Sequence, residues 1–357
     1  MPETELPRAA ALAPSPVWWR RWELPTWAVA VAIYACWFAL VWFHASIPWP
    51  LLMLGGAYVL AWHFSLQHEA IHGWRSIPRW LRTAVVWPPI GGWWPFELYK
   101  RSHTAHHRNT VLTYPGQDTE SVYHRQQDWS RYSPAWRAVL IANQTLLGRL
   151  TVGVFLRLRK LVLVEYGKLA RRDYSDVPAW LRFFAGLAVI LWFVSSVAGM
   201  PIWKYYALMV LPGISLGLLR AFIEHRWGPT PGERTASVES NWLFGLLFLW
   251  NNLHIVHHLY PGMPWFEIPG FWRRNRARLL AHNGHYVFRG YAEIARRWLL
   301  RPVFVPAHPP PRPLDRARAA AVAEPHPRRE LPRHAARRPA ARPAAATGRR
   351  RGGHHLD

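Results

Sequence analysis

Residues 26–72 read TWAVAVAIYACWFALVWFHASIPWPLLMLGGAYVLAWHFSLQHEAIH. The stretch 26–44 carries no charged side chain. About 20 apolar residues rising 1.5 Å each cross a hydrocarbon core of roughly 30 Å. Residues 26–44 are therefore expected to span a membrane. Ile47-Pro48-Trp49-Pro50 makes a short turn, and 51–67 is expected to return as a second span. So short a link permits only an antiparallel hairpin. The second span runs out on HEAIH at 68–72. Its His68 and His72 are four residues apart, so on a helix both imidazoles leave one face.

The pattern recurs further along. Residues 178–200 and 201–223 form a second apolar pair, turning at Gly199-Met200-Pro201, and it too ends on a histidine, His225 in FIEHR. Between the pairs, 81–98 is apolar but broken by Pro88-Pro89 and Gly91-Gly92. Interrupted backbone at membrane depth must be covered by protein, so this segment is expected to lie on the surface or re-enter. It delivers the chain to HTAHH at 103–107. Residues 108–135 are polar and read as cytosolic. Residues 136–170 mix apolar positions with Arg149, Arg157, Arg159 and Lys160, an interfacial pattern. Residues 241–253 are too short to span. There Leu243, Leu247, Trp250, His254, His257 and His258 recur at three or four residues, which predicts one continuous helix carrying HIVHH at 254–258 on its apolar stripe. The fold class read from these runs is all-α and integral to the membrane. Four transmembrane helices form two hairpins, and a cytosolic helical cap holds a histidine-rich site.

Composition supports the membrane. Tryptophan accounts for 24 of 357 residues and aromatics for 15%, and indole rings favour the headgroup level. Net charge is +24. The arginines sit at Arg20 and Arg21, beside the histidine clusters and in the last fifty residues. That is the distribution of cytoplasmic flanks beside anionic lipid rather than of a nucleic-acid face. Both termini and all clustered histidines are thus expected on the cytoplasmic side, with no nucleic-acid partner. Cys36 is the sole cysteine, so any metal must be held by nitrogen and oxygen. The domains are read as a disordered and then interfacial start at 1–24, a membrane domain at 25–305, and a Pro/Ala/Arg-rich disordered tail at 306–357.

Nine of the nineteen histidines fall in four tight spots: His68, His72, His103, His106, His107, His225, His254, His257 and His258. Imidazole suits zinc, copper, iron or nickel, and grouping so many rings without metal would cost charge repulsion or deep pKa depression. His44, His63 and His124 read as ordinary amphipathic residues at an interface. HEAIH also matches the H-E-x-x-H signature of zinc metalloproteases, with Glu69 as general base. That reading uses two of the nine histidines and one more ligand. Nine neutral nitrogens suit two metal ions with room for O₂, and two irons so ligated can form an oxidant for an unactivated C–H bond.

In QHEAIHG, PFELYKRSHTAHHRNT, FIEHR and NNLHIVHHLYPGMPWFEIP, over about residues 26–300, the chain resembles the membrane fatty acid desaturase/hydroxylase superfamily, and bacterial fatty acid desaturases most. The resemblance implies a di-iron site on all nine histidines, O₂ as co-substrate, and a double bond introduced into a fatty acyl chain. Carotenoid or lipid ketolases and hydroxylases share much of the pattern and form the alternative. A lipid substrate, a bacterial inner membrane and a separate electron donor such as a ferredoxin are implied as well. The sequence departs from acyl-CoA desaturases at Ala221, where they carry an asparagine that holds a metal-bound water. Asn251 or Asn252 is expected to fill in. Glu69, Asp118, Glu224 and Glu267 are candidate acceptors for the ligands' outer N–H groups.

Overall fold

A computed structural model describes residues 17–108 and 111–309. The expected disorder of the first sixteen residues and of the tail from 310 onward lies outside the described residues. The described residues are mostly helical. A four-residue turn of helix, α1 (Trp18–Arg21), precedes α2 (Leu24–Trp42) and α3 (Trp49–His72). Then come α4 (Arg79–Val86), α5 (Phe96–Arg108), α6 (Gln126–Arg131), α7 (Pro134–Ala142) and α8 (Leu146–Ala170). Next, α9 (Val177–Trp192) continues through a π-turn to Val197, while α10 (Ile202–Tyr205) passes through a second π-turn into α11 (Leu211–Ala221). The last helices are α12 (Trp242–Leu247), α13 (His254–Leu259), α14 (Ile268–His282) and α15 (Tyr291–Trp298). Among the described residues one small sheet pairs β1 (Ser237–Val238) with β2 (Val287–Phe288), in parallel.

Among the described residues, four helical stretches are each long and apolar enough to cross a membrane: Leu24–Trp42, Trp49–His72, Val177–Val197 and Ile202–Ala221. They fall where the hydropathy of the sequence puts them. Half of the apolar window of α3 is buried inside the protein, against 17% for Val177–Val197, so α3 is the central stave. It packs on α2, on α11 and on the π-turn before α11. Small residues allow the approach: a Cβ at Gly56 would sit 2.5 Å from the Met209 side chain, and one at Gly213 would sit 2.7 Å from Leu60. Where apolar solvent gives helices no hydrophobic reason to associate, such close contact supplies the packing. The outward faces carry Val31, Phe38, Leu54, Leu181 and Val189, and exposed Trp22, Trp42, Trp49, Trp192 and Trp203 sit near the ends of the staves. A lipid-facing surface with interfacial indoles has this form.

The broken segment between α4 and α5 is covered by side chains of the spans. Tyr34 donates to the Val85 carbonyl and Tyr205 to that of Ile90. Gln67 Nε2 donates to Val86 at 3.0 Å, and Tyr206 to Gly92 at 3.1 Å. These four carbonyls, which irregular backbone leaves without a helical partner, thereby gain donors. Gly92 needs its positive φ of 60° here, with Tyr206 pressed against it.

Two expectations fail. HIVHH does not continue an apolar helix. The chain leaves α12 at Leu247 and turns with left-handed Leu249 (φ 47°) and Trp250 (φ 55°) before α13 begins. Trp250 packs flat on Gly245, and Asn252 Nδ2 bonds the Val238 carbonyl at 2.6 Å, so side-chain contacts override the helical period. His63 is fully buried within α3 beside Tyr34, not at an interface. The residues 306–309 pack on the body: His308 is buried, with its ring 4.3 Å from Tyr114 and 5.2 Å from Tyr123.

Candidate metal centre

Three helix ends and one extended strand-like segment bring the nine histidines together. The last turn and a half of α3 supplies His68 and His72. The C-terminal half of α5 supplies His103, His106 and His107. The start of α13 supplies His254, His257 and His258. His225 lies four residues beyond α11, in a bridge with Thr235. The i, i+3 and i, i+4 spacings work as helices require: the rings of one cluster share a face and leave it together.

The ring nitrogens fall into two groups, each with its ligand atoms within 4.8 Å of one another. One comprises His68, His72, His103, His107 and His257; the other comprises His106, His225 and His258. His254 joins the second, its Nε2 lying 3.1 Å from Nε2 of both His225 and His258. In the first, His107 Nε2 stands 3.1 Å from His103 Nε2 and 2.8 Å from His257 Nε2.

Outward-facing nitrogens are engaged. His103 Nδ1 bonds Glu120 at 2.9 Å and His106 Nδ1 bonds Asp118 at 2.7 Å. His225 Nδ1 donates to the Arg234 carbonyl at 3.2 Å, and His254 Nδ1 to Asn251 Oδ1 at 3.1 Å. Such bonds fix the tautomer that turns the Nε2 lone pair inward. Burial then lowers His103, holds His107, His254, His257 and His258 well below the ordinary imidazole range, and pushes His225 to about 3. His106 differs. Burial lowers it, but the Glu120 and Asp118 carboxylates outweigh that and hold it at about 9. Neutral rings whose lone pairs face each other at hydrogen-bond distance repel. His72 Nε2 and His106 Nε2 are buried with no partner at all. A cation within each group satisfies all of these atoms at once, so the residues fit a pair of metal ions.

The expected outer carboxylates divide. Asp118 bonds His106, and it also accepts the Thr113 amide at 2.8 Å. Glu224 pairs with Arg220 at 3.1 Å and stands 3.4 Å from His254 Nδ1. Glu69 turns away: its Oε1 accepts the Trp265 amide at 3.3 Å and crowds Gly73. A zinc-protease base would have to face the metal, and this one does not. Glu267 lies in a 3₁₀ turn and makes no described bond to a histidine. Glu120 went unread in the sequence, although it stands two residues after Asp118 in the same acidic loop. Of the two asparagines, Asn252 is spent on Val238 and Ser240. Asn251 sits between the groups, its Nδ2 3.3 Å from His68 Nε2 and its Oδ1 on His254.

The nine histidines gather beside a bundle of membrane-long helices in groups that could hold metal ions. Comparison with curated proteins finds no match. Residues 45–291, more than half of the chain and including all nine histidines, match the family model for fatty acid desaturases, and the chain belongs to that family.

Proposed function

We propose that the protein is an O₂-dependent lipid oxidoreductase that introduces a double bond into a fatty acyl chain at a di-iron centre. The observation that carries this is the convergence of nine histidines into two adjoining groups, with His68 and His72 at the end of a membrane-long apolar helix. Members of the family use a di-iron centre, which supports iron over the other metals that imidazole accepts. His68, His72, His103, His107 and His257 would hold one ion. His106, His225, His254 and His258 would hold the other. When bound, the pair supplies O₂ activation and the removal of hydrogen from an unactivated C–H bond. The chain's own residues do the rest. Glu120, Asp118 and the Arg234 carbonyl orient the rings through Nδ1 and raise their basicity. Burial of the rings keeps water from the reacting carbon.

Two hairpins put both termini and the centre on the cytoplasmic face of a bacterial inner membrane, in keeping with the basic flanks. Two electrons per turnover come from a separate acidic carrier such as a ferredoxin, drawn by the positive face. The test is iron quantitation on purified protein, with lipid profiling of cells expressing wild type or His257→Ala. Two irons per chain are expected, with an acyl product two hydrogens lighter in wild type only. One zinc per chain, or an unchanged lipid profile in wild type, would sink the reading.

A further inference from the structure

The acidic loop that holds His106 is itself held at a strained residue. Thr113 is buried and left-handed, with φ 76°. A β-branched residue rarely takes that conformation unless its surroundings impose it. All three polar groups of Thr113 are engaged. Its amide donates to Asp118 Oδ2 at 2.8 Å, its carbonyl accepts from Ser121 Oγ at 2.6 Å, and its hydroxyl lies 3.3 Å from His308 Nε2. The first two partners belong to the loop. The third comes from 195 residues further along the chain.

His308 sits on a strap, residues 303–309, that closes over the loop. The His124 amide donates to the Pro306 carbonyl at 2.7 Å, and the His308 amide to the His124 carbonyl at 2.8 Å. Phe304 stacks on Tyr123 at 4.7 Å, and the Val303 amide donates to the Gln144 carbonyl at 2.9 Å. These contacts dock the strap without the His308 ring. The ring is nonetheless buried, against Tyr114. Its Nδ1 donates to the Pro309 carbonyl at 2.7 Å. In the neutral ring Nε2 is then an acceptor, and the Thr113 hydroxyl donates to it.

We propose that His308 is a positioning residue for the second histidine group. It acts through Thr113, whose amide fixes Asp118, whose Oδ1 lies 2.7 Å from His106 Nδ1. Glu120, which orients His103 in the first group, shares the loop, and its amide bonds Asp118 Oδ1 at 2.9 Å. It has anchors of its own. The neighbouring Thr119 donates its hydroxyl to the Ser102 carbonyl at 2.9 Å, and its carbonyl accepts from Lys160 at 3.2 Å. Loss of the His308 bond should therefore fall on the second group. This rests on the metal-centre reading and adds to it a residue that touches no ligand.

The test uses full-length protein in nanodiscs. His308→Leu removes the acceptor, and His308→Gln keeps one. Thr113→Val removes the hydroxyl, and Thr113→Ser keeps it. Before metal is added, hydrogen exchange is read on peptides covering 111–124 and 68–72. His308→Leu is expected to speed exchange in the first and not in the second. Ferrous iron is then titrated against a chelator, with the Mössbauer signature of each site followed. His308→Leu is expected to weaken the second group roughly 3- to 10-fold, the scale of one net hydrogen bond, and to leave the first nearly unchanged. His308→Gln should recover most of the loss. Thr113→Val should match His308→Leu, and the double variant should be no worse than either, since both remove one bond. Should His308→Leu not fold, Thr113→Val against Thr113→Ser reads the same bond from its other side. Equal weakening of both groups, or losses that add in the double variant, would overturn the proposal. If wild type takes up two irons and the variants match it, this proposal alone falls. If wild type takes up no metal, it falls together with the metal-centre reading.

Discussion

The two histidine groups are built differently. The first takes all five rings from helices: the end of α3, one face of α5 and the start of α13. The second takes His106, His254 and His258 from α5 and α13. It also depends on His225 in an extended segment, whose position is set by the Arg234 carbonyl and the bridge to Thr235. Charge separates them too. His103, His107 and His257 are neutral, whereas the second group sets His106, held at about 9, beside His225, held at about 3. Helices thus supply every ring of one site, with Glu120 orienting His103, whereas the other also needs a ring held by a loop carbonyl.

That contrast predicts unequal responses to ligand loss, the largest effect expected. His257→Ala removes a ring at the centre of the first group, where its Nε2 lies 2.8 Å from that of His107. Turnover should fall to background. His225→Ala should also abolish turnover, yet leave the first group intact. Iron analysis should then find about half the wild-type metal. If His225→Ala strips all the iron, the two groups are one cooperative site and the comparison breaks.

Next in size are the carboxylates. Asp118→Asn should weaken metal binding at the second group, and Glu120→Gln at the first, by roughly 10–100-fold. Competition with a chelator, followed by each site's spectroscopic signature, would separate them. Equal loss at both groups from either substitution would mean that the carboxylates act through the shared helix α5 rather than through their own rings.

The same contrast explains what could be read from the sequence. The four apolar stretches were legible because long apolar runs with so few charges have few other uses. The helical histidines were legible because spacing on a helix is geometry. His225 showed only as a lone residue beyond an apolar run, since its partner Arg234 is nine residues on and acts through a backbone carbonyl, which leaves no mark of residue type. Glu120 was hidden because its contact with His103 spans a loop. The continuous helix expected through HIVHH was a false inference from period. Leu249 and Trp250 turn left-handed there, held by the packing of Trp250 on Gly245. Glu69, the residue most like a known motif, proved to belong to packing around Trp265.

Acid should expose the charge difference in metal-free protein. His103, His107, His225, His254, His257 and His258 have folded pKa values below the unfolded 6.5. Below that pH the unfolded chain binds more protons, so stability falls as pH falls. Each ring contributes up to about 1.4 kcal/mol per pH unit. His106 runs the other way. Its raised value gives stability that is complete below 6.5 and is lost as pH rises through about 9. Thermal melts should therefore show Tm rising from pH 5 to 7, then slipping between 7 and 9.5. Glu120→Gln and Asp118→Asn should each shrink the second limb and keep the first.

The smallest expected effect tests the link between the groups. Asn251 is the one described side chain that bonds a ring of each: His68 through Nδ2 and His254 through Oδ1. It fixes two rings that α3 and α13 already position, so its loss should be mild. Asn251→Ala is expected to cost about 1 kcal/mol of metal-free stability, the scale of one net hydrogen bond, and to lower turnover by less than the carboxylate substitutions do. It should nonetheless perturb both metal signatures, where Asp118→Asn and Glu120→Gln each perturb one. Asn252→Ala is the control, because its amide serves Val238 and Ser240 and touches no histidine. If Asn251→Ala alters the second group alone, the bond to His68 carries nothing. The two sites would then communicate only through the helix face on which His106 and His107 are neighbours.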